Sequence, residues 1–167
     1  MLDTNRSVCF TGHREVSHPD IGARLDVLVT QLINKGYRYF KAGGALGFDT
    51  EAAQSVLRLQ KKYPHIKLIL VLPYQSQSAK WTDEEKEVYE NIKSRAEKVV
   101  YSSKGYKRGC FHIRNRMLVD ESDVCVAYLV KCEGGAAYTV DYSHKKGLEV
   151  INIAKGAMYS ESSQYAS

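Results

Sequence analysis

Two kinds of apolar spacing alternate along this chain, and that alternation limits its folds more than any single motif. Short apolar runs stand at Val8–Phe10, Tyr37–Phe40, Ile66–Leu72, Val99–Tyr101, Val124–Val130 and Val150–Ile153. Such runs read as strands, and the nearly unbroken third and fifth as strands covered on both faces. Between them the spacing becomes helical. Ile21, Leu25, Leu28, Val29, Leu32 and Ile33 line one helix face, and Gly36 stops it. Phe48, Ala52, Ala53, Val56 and Leu57 predict a second helix that ends before Pro64. Trp81, Val88, Ile92 and Ala96 predict a third, entered through the capping signal Thr82-Asp83-Glu84-Glu85. Ile113, Met117 and Leu118 predict a fourth; Ala136, Ala137, Val140 and His144 predict a fifth, stopped by Gly147. Strict alternation of this kind predicts a doubly wound α/β fold. Its sheet is mainly parallel, with about six strands, right-handed crossovers and helices on both faces.

A length of 167 residues, 44% apolar and 26% charged, suits one soluble domain. It excludes a disordered chain, a collagen-like chain and a small disulfide scaffold. The domain is expected over residues 1–155. From Gly156 to Ser167 the pattern dissolves, which predicts a poorly ordered tail. No apolar run approaches the ~20 residues of a membrane span, so no membrane partner is expected. The first residues lack the apolar core of a secretory signal, and the expected location is the cytoplasm. None of the four cysteines lies in a C-x-x-C pair, and no metal is expected. Cys9 and Cys125 read as buried strand residues, and the neighbours Cys110 and His112 lack a second ligand pair. The net charge of +5 favours anionic partners but includes no long basic tract. Part of the excess is local, in Lys104, Lys107, Arg108, Arg114 and Arg116.

In a doubly wound sheet, ligands bind beyond the carboxyl ends of the strands. After the first strand stand Thr11, Gly12, His13 and Arg14. They offer a hydroxyl, a close backbone approach, a titratable ring and a phosphate-matching guanidinium. Arg14 alternatively bridges to a surface carboxylate. After the second strand comes Ala42-Gly43-Gly44-Ala45-Leu46-Gly47-Phe48-Asp49, a glycine-rich entry to a helix and hence an anion site. It matches neither the Walker pattern nor the dinucleotide pattern. Asp49 either receives a ribose hydroxyl or complements the helix dipole. After the third strand, Pro73, Tyr74, Gln77 and Trp81 suggest base stacking and edge reading. The alternative packs Trp81 under the third helix. Arg114 and Asn115 open the fourth helix. Glu133-Gly134-Gly135, with Thr139 beyond, opens the fifth as a second glycine-bearing entry. Two such entries in one parallel sheet, with Arg14 and Arg114 nearby, favour a phosphate-bearing ligand.

Taken together, Thr11-Gly12-His13-Arg14, Gly43-Gly44-Ala45-x-Gly47-x-Asp49, Pro73-Tyr74 with Gln77 and Trp81, and Arg114-Asn115-Arg116-Met117 with Asp120 resemble the YpsA-like family. That family belongs to the SLOG superfamily, with the DNA-processing protein DprA and the LOG cytokinin-activating enzymes. The resemblance implies a Rossmann-like fold and a pocket for a nucleotide or nucleotide-derived ligand. LOG-type phosphoribohydrolases carry H-x-R-K and then P-G-G-x-G-T-x-x-E. His112-Ile113-Arg114-Asn115 resembles the first, with Asn115 in place of Lys. Gly134-Gly135 resembles the second, with Glu133 in place of proline and Thr139 one residue late. Tyr142 stands where the catalytic glutamate would, and Asp141 lies about 100° away on a helix.

The leading expectation is a nucleotide-type ligand bound by these loops in a sensor-like module that requires no cofactor. The first alternative is cleavage of a nucleoside monophosphate, with Arg114, Asp141 and Glu133 as catalytic candidates. The second is single-stranded DNA binding of the DprA kind. Related domains often pair, so a homo-oligomer is also an expectation, although no apolar stripe demands one.

Overall fold

The computed structural model describes residues 6–155; the expected tail, from Gly156 to Ser167, lies outside the described residues. Strands and helices alternate without exception. The order is β1 (Ser7–Gly12), α1 (Ile21–Asn34), β2 (Tyr39–Ala42), α2 (Phe48–Gln60), β3 (Lys67–Leu72), α3 (Asp83–Arg95), β4 (Lys98–Tyr101), α4 (Cys110–Asp120), β5 (Val124–Tyr128), α5 (Gly135–Lys145) and β6 (Glu149–Asn152). The strands form one six-stranded sheet in the order β4-β3-β2-β1-β5-β6. Every neighbouring pair is parallel. This is a Rossmann-like α/β sheet. The chain first winds outward from β1 to β4, then returns past β1 to form β5 and β6. The direction of winding therefore reverses between β1 and β5.

That reversal puts helices on opposite faces and makes two cores. Val8, Phe10, Phe40, Leu68, Leu70, Val126 and Tyr128 pack against Leu25, Val29, Phe48, Val56, Tyr89 and Ile92 of α1, α2 and α3. On the other face Cys9, Val71, Cys125 and Ala127 meet Leu118 and Val119 of α4 and Val140 of α5. Side chains alternate between faces along a strand, so Val8 and Phe10 go one way and Cys9 the other. Both faces are covered, which explains the unbroken apolar reading of β3 and β5. Each fully buried side chain of this size contributes about 1.5–3 kcal/mol at most.

The third helix departs from its sequence reading. Thr82 is its N-cap: Glu85 N–H donates to Thr82 Oγ1 at 3.1 Å, and Thr82 N–H donates to Glu85 Oε1 at 2.9 Å. Trp81 therefore precedes the helix instead of lying on its buried stripe. The buried residues are Tyr89 and Ile92, whereas Val88 is exposed. One residue is a rotation of about 100°, enough to exchange a core position for a solvent one. The fifth strand also stops earlier than its apolar run. Asn152 accepts the Leu129 N–H at 3.1 Å and donates to the Leu129 carbonyl at 2.9 Å, replacing ladder bonds with side-chain bonds.

Candidate functional site

All six carboxyl ends lie on one rim of the sheet, and the loops from β1, β2 and β5 meet where the winding reverses. The β1 loop is fixed from several directions. His13 N–H donates to the Tyr128 carbonyl at 3.3 Å, continuing the β1–β5 pairing. The buried Tyr128 hydroxyl accepts the Ser17 N–H at 3.1 Å and lies 2.7 Å from His18 Nδ1. His13 Nε2 accepts the Val130 N–H at 3.0 Å and the Lys131 N–H at 3.4 Å. Only a ring unprotonated at Nε2 can do this. Burial and the charge of Lys131 both lower the His13 pKa, which keeps the acceptor available. Thr11 is buried, and Arg14 is exposed. Among the described residues the Arg14 guanidinium has no hydrogen-bond or ion-pair partner.

The β2 loop is filled by the protein's own charges. Asp49, in the first turn of α2, is buried, and its Oδ2 accepts the Ala45 N–H at 3.1 Å. The buried Arg114 donates from Nη1 to the Gly43 carbonyl and from Nε to Asn115 Oδ1, the latter at 2.8 Å. A side chain at Gly43 would meet both the Arg114 guanidinium and the Asp49 carboxylate, so these two charges flank the same backbone. Burial raises the Asp49 carboxyl from 3.8 to about 6, against the pull of Arg114, the Ala45 amide and Arg14. Burial likewise lowers Arg114, and Asp49 opposes that shift. Phe48 N–H donates to the His13 carbonyl at 3.1 Å, locking the β2 loop to the β1 loop. Gly47 has φ +86°, and a Cβ there would strike the Arg14 backbone; no other residue type fits.

The entry to α5 is different. Gly134 caps it with φ +89°, and nothing lies within 4 Å of where a Cβ would be. Gly134 and Gly135 are exposed, and α5 has no acidic residue in its first turn. Its unpaired amides and positive dipole end thus face solvent. Gly135 approaches Asn115, where a Cβ would be 3.7 Å from Nδ2. Asn115 is in turn bonded to Arg114, so the two glycine entries are joined through one Arg–Asn pair. Thr139 is buried, and its hydroxyl is taken by the Gly135 carbonyl at 2.9 Å.

Residues after β3 divide into structural and exposed groups. Gln77 Nε2 donates to the Tyr89 hydroxyl at 3.0 Å and to the Gly44 carbonyl at 3.4 Å, bracing the β2 loop. Trp81 packs on Tyr89, ring centroids 5.0 Å apart, and Pro73 is buried. Tyr74 joins two residues that the sequence reading missed. Tyr106 and Phe111 lie 5.9 and 6.0 Å from it, centroid to centroid. Exposed aromatics give no periodic signal, and the only clue was a tyrosine inside a basic stretch. His112 is exposed and stacks on Tyr138 at 4.1 Å, whereas Cys110 is buried. Among the described residues no three His, Cys, Asp or Glu side chains converge as a metal site. Glu133 is exposed; Asp141 points to solvent, 3.1 Å from Lys145.

The family model for YpsA, described as the YspA SLOG family, matches residues 9–153. The chain belongs to this family. The match spans β1 to β6 and so includes all the loops described above. Among the relatives by sequence, the SPbeta prophage-derived protein YoqJ of Bacillus subtilis is 31% identical over 135 residues, covering 73% of this chain and 79% of YoqJ. A UPF0398 protein of Bacillus cereus is 29% identical, covering 78% of this chain and 74% of the relative. Solved structures with the same fold include DprA of Streptococcus pneumoniae, with TM-score 0.65 and 18% identity. They also include DprA of Helicobacter pylori, described as binding single-stranded DNA, with TM-score 0.64 and 21% identity. The molybdenum cofactor carrier protein of Chlamydomonas reinhardtii has TM-score 0.58 and 17% identity. The match covers 87%, 88% and 97% of this chain, respectively. Of those proteins it covers 49%, 64% and 87%, so the chain spans about half of the pneumococcal DprA. Among the described residues no helix of this YpsA-family chain is long and apolar enough to cross a membrane.

Proposed function

We propose that this chain is a cytoplasmic binding module for a phosphate-bearing, nucleotide-derived ligand, held where β1 and β5 end. The observation that carries this reading is the contrast between the two glycine entries. The β2 entry already holds the Asp49 carboxylate, while the α5 entry stands open beside the loop that presents an unpartnered Arg14. The amides of Gly135 and Ala136 and the dipole of α5 would take the phosphate, with the exposed Arg14 as the cation. Asn115 and Arg114 form the floor between the entries. Asp49 stands ready to accept a hydroxyl of the sugar.

Isothermal titration against AMP, ADP, ribose 5-phosphate and nucleotide sugars tests the reading. Binding of at least one of them, weakened about tenfold or more by Arg14→Ala, is expected, since charge-assisted bonds contribute about 1.5–3 kcal/mol. No heat from any ligand at millimolar concentration refutes it. A second reading, cleavage of an N-glycosidic bond, draws on Asp49, whose carboxyl is raised to about 6 and suits proton transfer near neutrality. Release of free adenine from AMP, abolished by Asp49→Asn, would establish that reaction; its absence confines the site to binding.

A further inference from the structure

The positive charge of this chain is concentrated in one segment. Residues 98–119 hold six of its 24 Lys and Arg and none of its 19 Asp and Glu, so the rest of the chain is net negative by one. Lys104, Lys107 and Arg108 of this segment lie in the exposed loop after β4. The neighbouring strand β3 ends in residues 73–82, which add Lys80 and likewise contain no acidic residue. Among the described residues none of these four cations has a carboxylate partner. A solvated face normally mixes both signs, and a one-signed patch attracts polyanions.

The same loops expose aromatic rings. Tyr106 is 67% exposed and Phe111 41%. With Tyr74 they form a triangle whose centroids are 5.9, 6.0 and 6.5 Å apart. Tyr74 meets the other two rings edge to face, at 79° and 72°, and Tyr106 and Phe111 keep much of their surface in solvent. Arg114 lies behind Phe111, its guanidinium carbon 5.9 Å from the ring centroid, and supports that ring from the buried side. Ring faces beside unpaired cations match a ligand that alternates flat bases with phosphates. A paired duplex hides its bases and offers only the phosphates.

We infer that the β3–β4 edge of this rim is a docking surface for single-stranded nucleic acid. Lys80, Lys104, Lys107 and Arg108 would neutralise phosphates, and Tyr106 and Phe111 would stack bases. This surface is separate from the α5 entry and does not depend on the small-ligand reading. The likeness to DprA shows the fold alone; the charge segregation and the ring triangle carry the inference.

Fluorescence anisotropy with labelled single strands of about 20 nucleotides, DNA and RNA, and a duplex of the same length tests it. Single strands should bind more tightly than duplex at about 50 mM salt. Three or four phosphate contacts predict a slope of log affinity against log salt of about −2 to −3. Replacing Lys104, Lys107 and Arg108 by Glu should abolish binding. Tyr106→Ala with Phe111→Ala should weaken single-strand binding about tenfold or more while leaving the salt slope unchanged. These residues are exposed, and thermal melts of the variants check that the fold persists. No anisotropy change at low salt overturns the inference. So does equal binding of duplex and single strand that is insensitive to the aromatic changes.

Discussion

Replacing Asp49 by Asn should make the protein more stable, although Asp49 lies beside a buried arginine. Breaking a buried ion pair usually costs about 3–5 kcal/mol, because the remaining charge is left alone. Here the balance runs the other way. The carboxyl is raised from 3.8 to about 6, so burial outweighs the combined attraction of Arg114, the Ala45 amide and Arg14. That gap amounts to about 3 kcal/mol against folding at neutral pH. Asn removes the charge at nearly constant shape, and its carbonyl oxygen can still accept the Ala45 N–H. Arg114 keeps the Gly43 carbonyl and Asn115 as acceptors. The folded state binds the Asp49 proton more tightly than the unfolded state does. The penalty is therefore full above pH 6, shrinks as pH falls, and is gone below 3.8. Thermal melts of both proteins at about pH 7.5, 5.5 and 4 measure it. The variant should melt several degrees higher, up to about 10 °C, at the highest pH, and the difference should vanish at the lowest. A variant that melts lower at pH 7.5, or a difference independent of pH, refutes the reasoning. A carboxylate kept against stability is what a working site looks like.

Gly47→Ala should cost about 1–3 kcal/mol in urea denaturation, because a Cβ meets the Arg14 backbone in a left-handed conformation. His13→Ala should speed amide exchange at Val130 and Lys131 while leaving Leu25 and Phe10 protected. The lowered His13 pKa also gives a sign: this latch holds through the ordinary histidine range and is lost as pH falls below it, which pH-dependent exchange at the same two amides would show. Trp81 emission should not shift on nucleotide saturation, since its ring packs on Tyr89; a large shift would place it in the binding surface.

Most of the fold was legible because it rests on periodicity. The capping box at Thr82 and Glu85 needed only four letters. Tyr89 was harder, because a tyrosine with its hydroxyl satisfied by Gln77 scores like a surface residue until its partner is known. The site was legible in its parts but not in its divisions. Two glycine-bearing helix entries look alike as letters. Only packing shows that Asp49 and Arg114 occupy the one at Gly43, while the one at Gly134 stays open. Arg114 carries its charge in the first half of a helix, where the sequence points to a phosphate ligand at the glycine entries. Its burial depends on a carbonyl 71 positions away, and no local pattern reports such a distance. Tyr106 and Phe111 escaped notice because residues outside a core obey no spacing rule.

The parallel sheet separates chemistry from connection. Every strand starts at the rim opposite the loops discussed above, so the short turns before β3 and β6, at 61–66 and 146–148, lie at the far side of the molecule. A peptide tag or reporter domain stitched in at either turn would sit about a strand's length from any captured molecule. The protein could thus be anchored to a surface or read by light with its receptive rim left free.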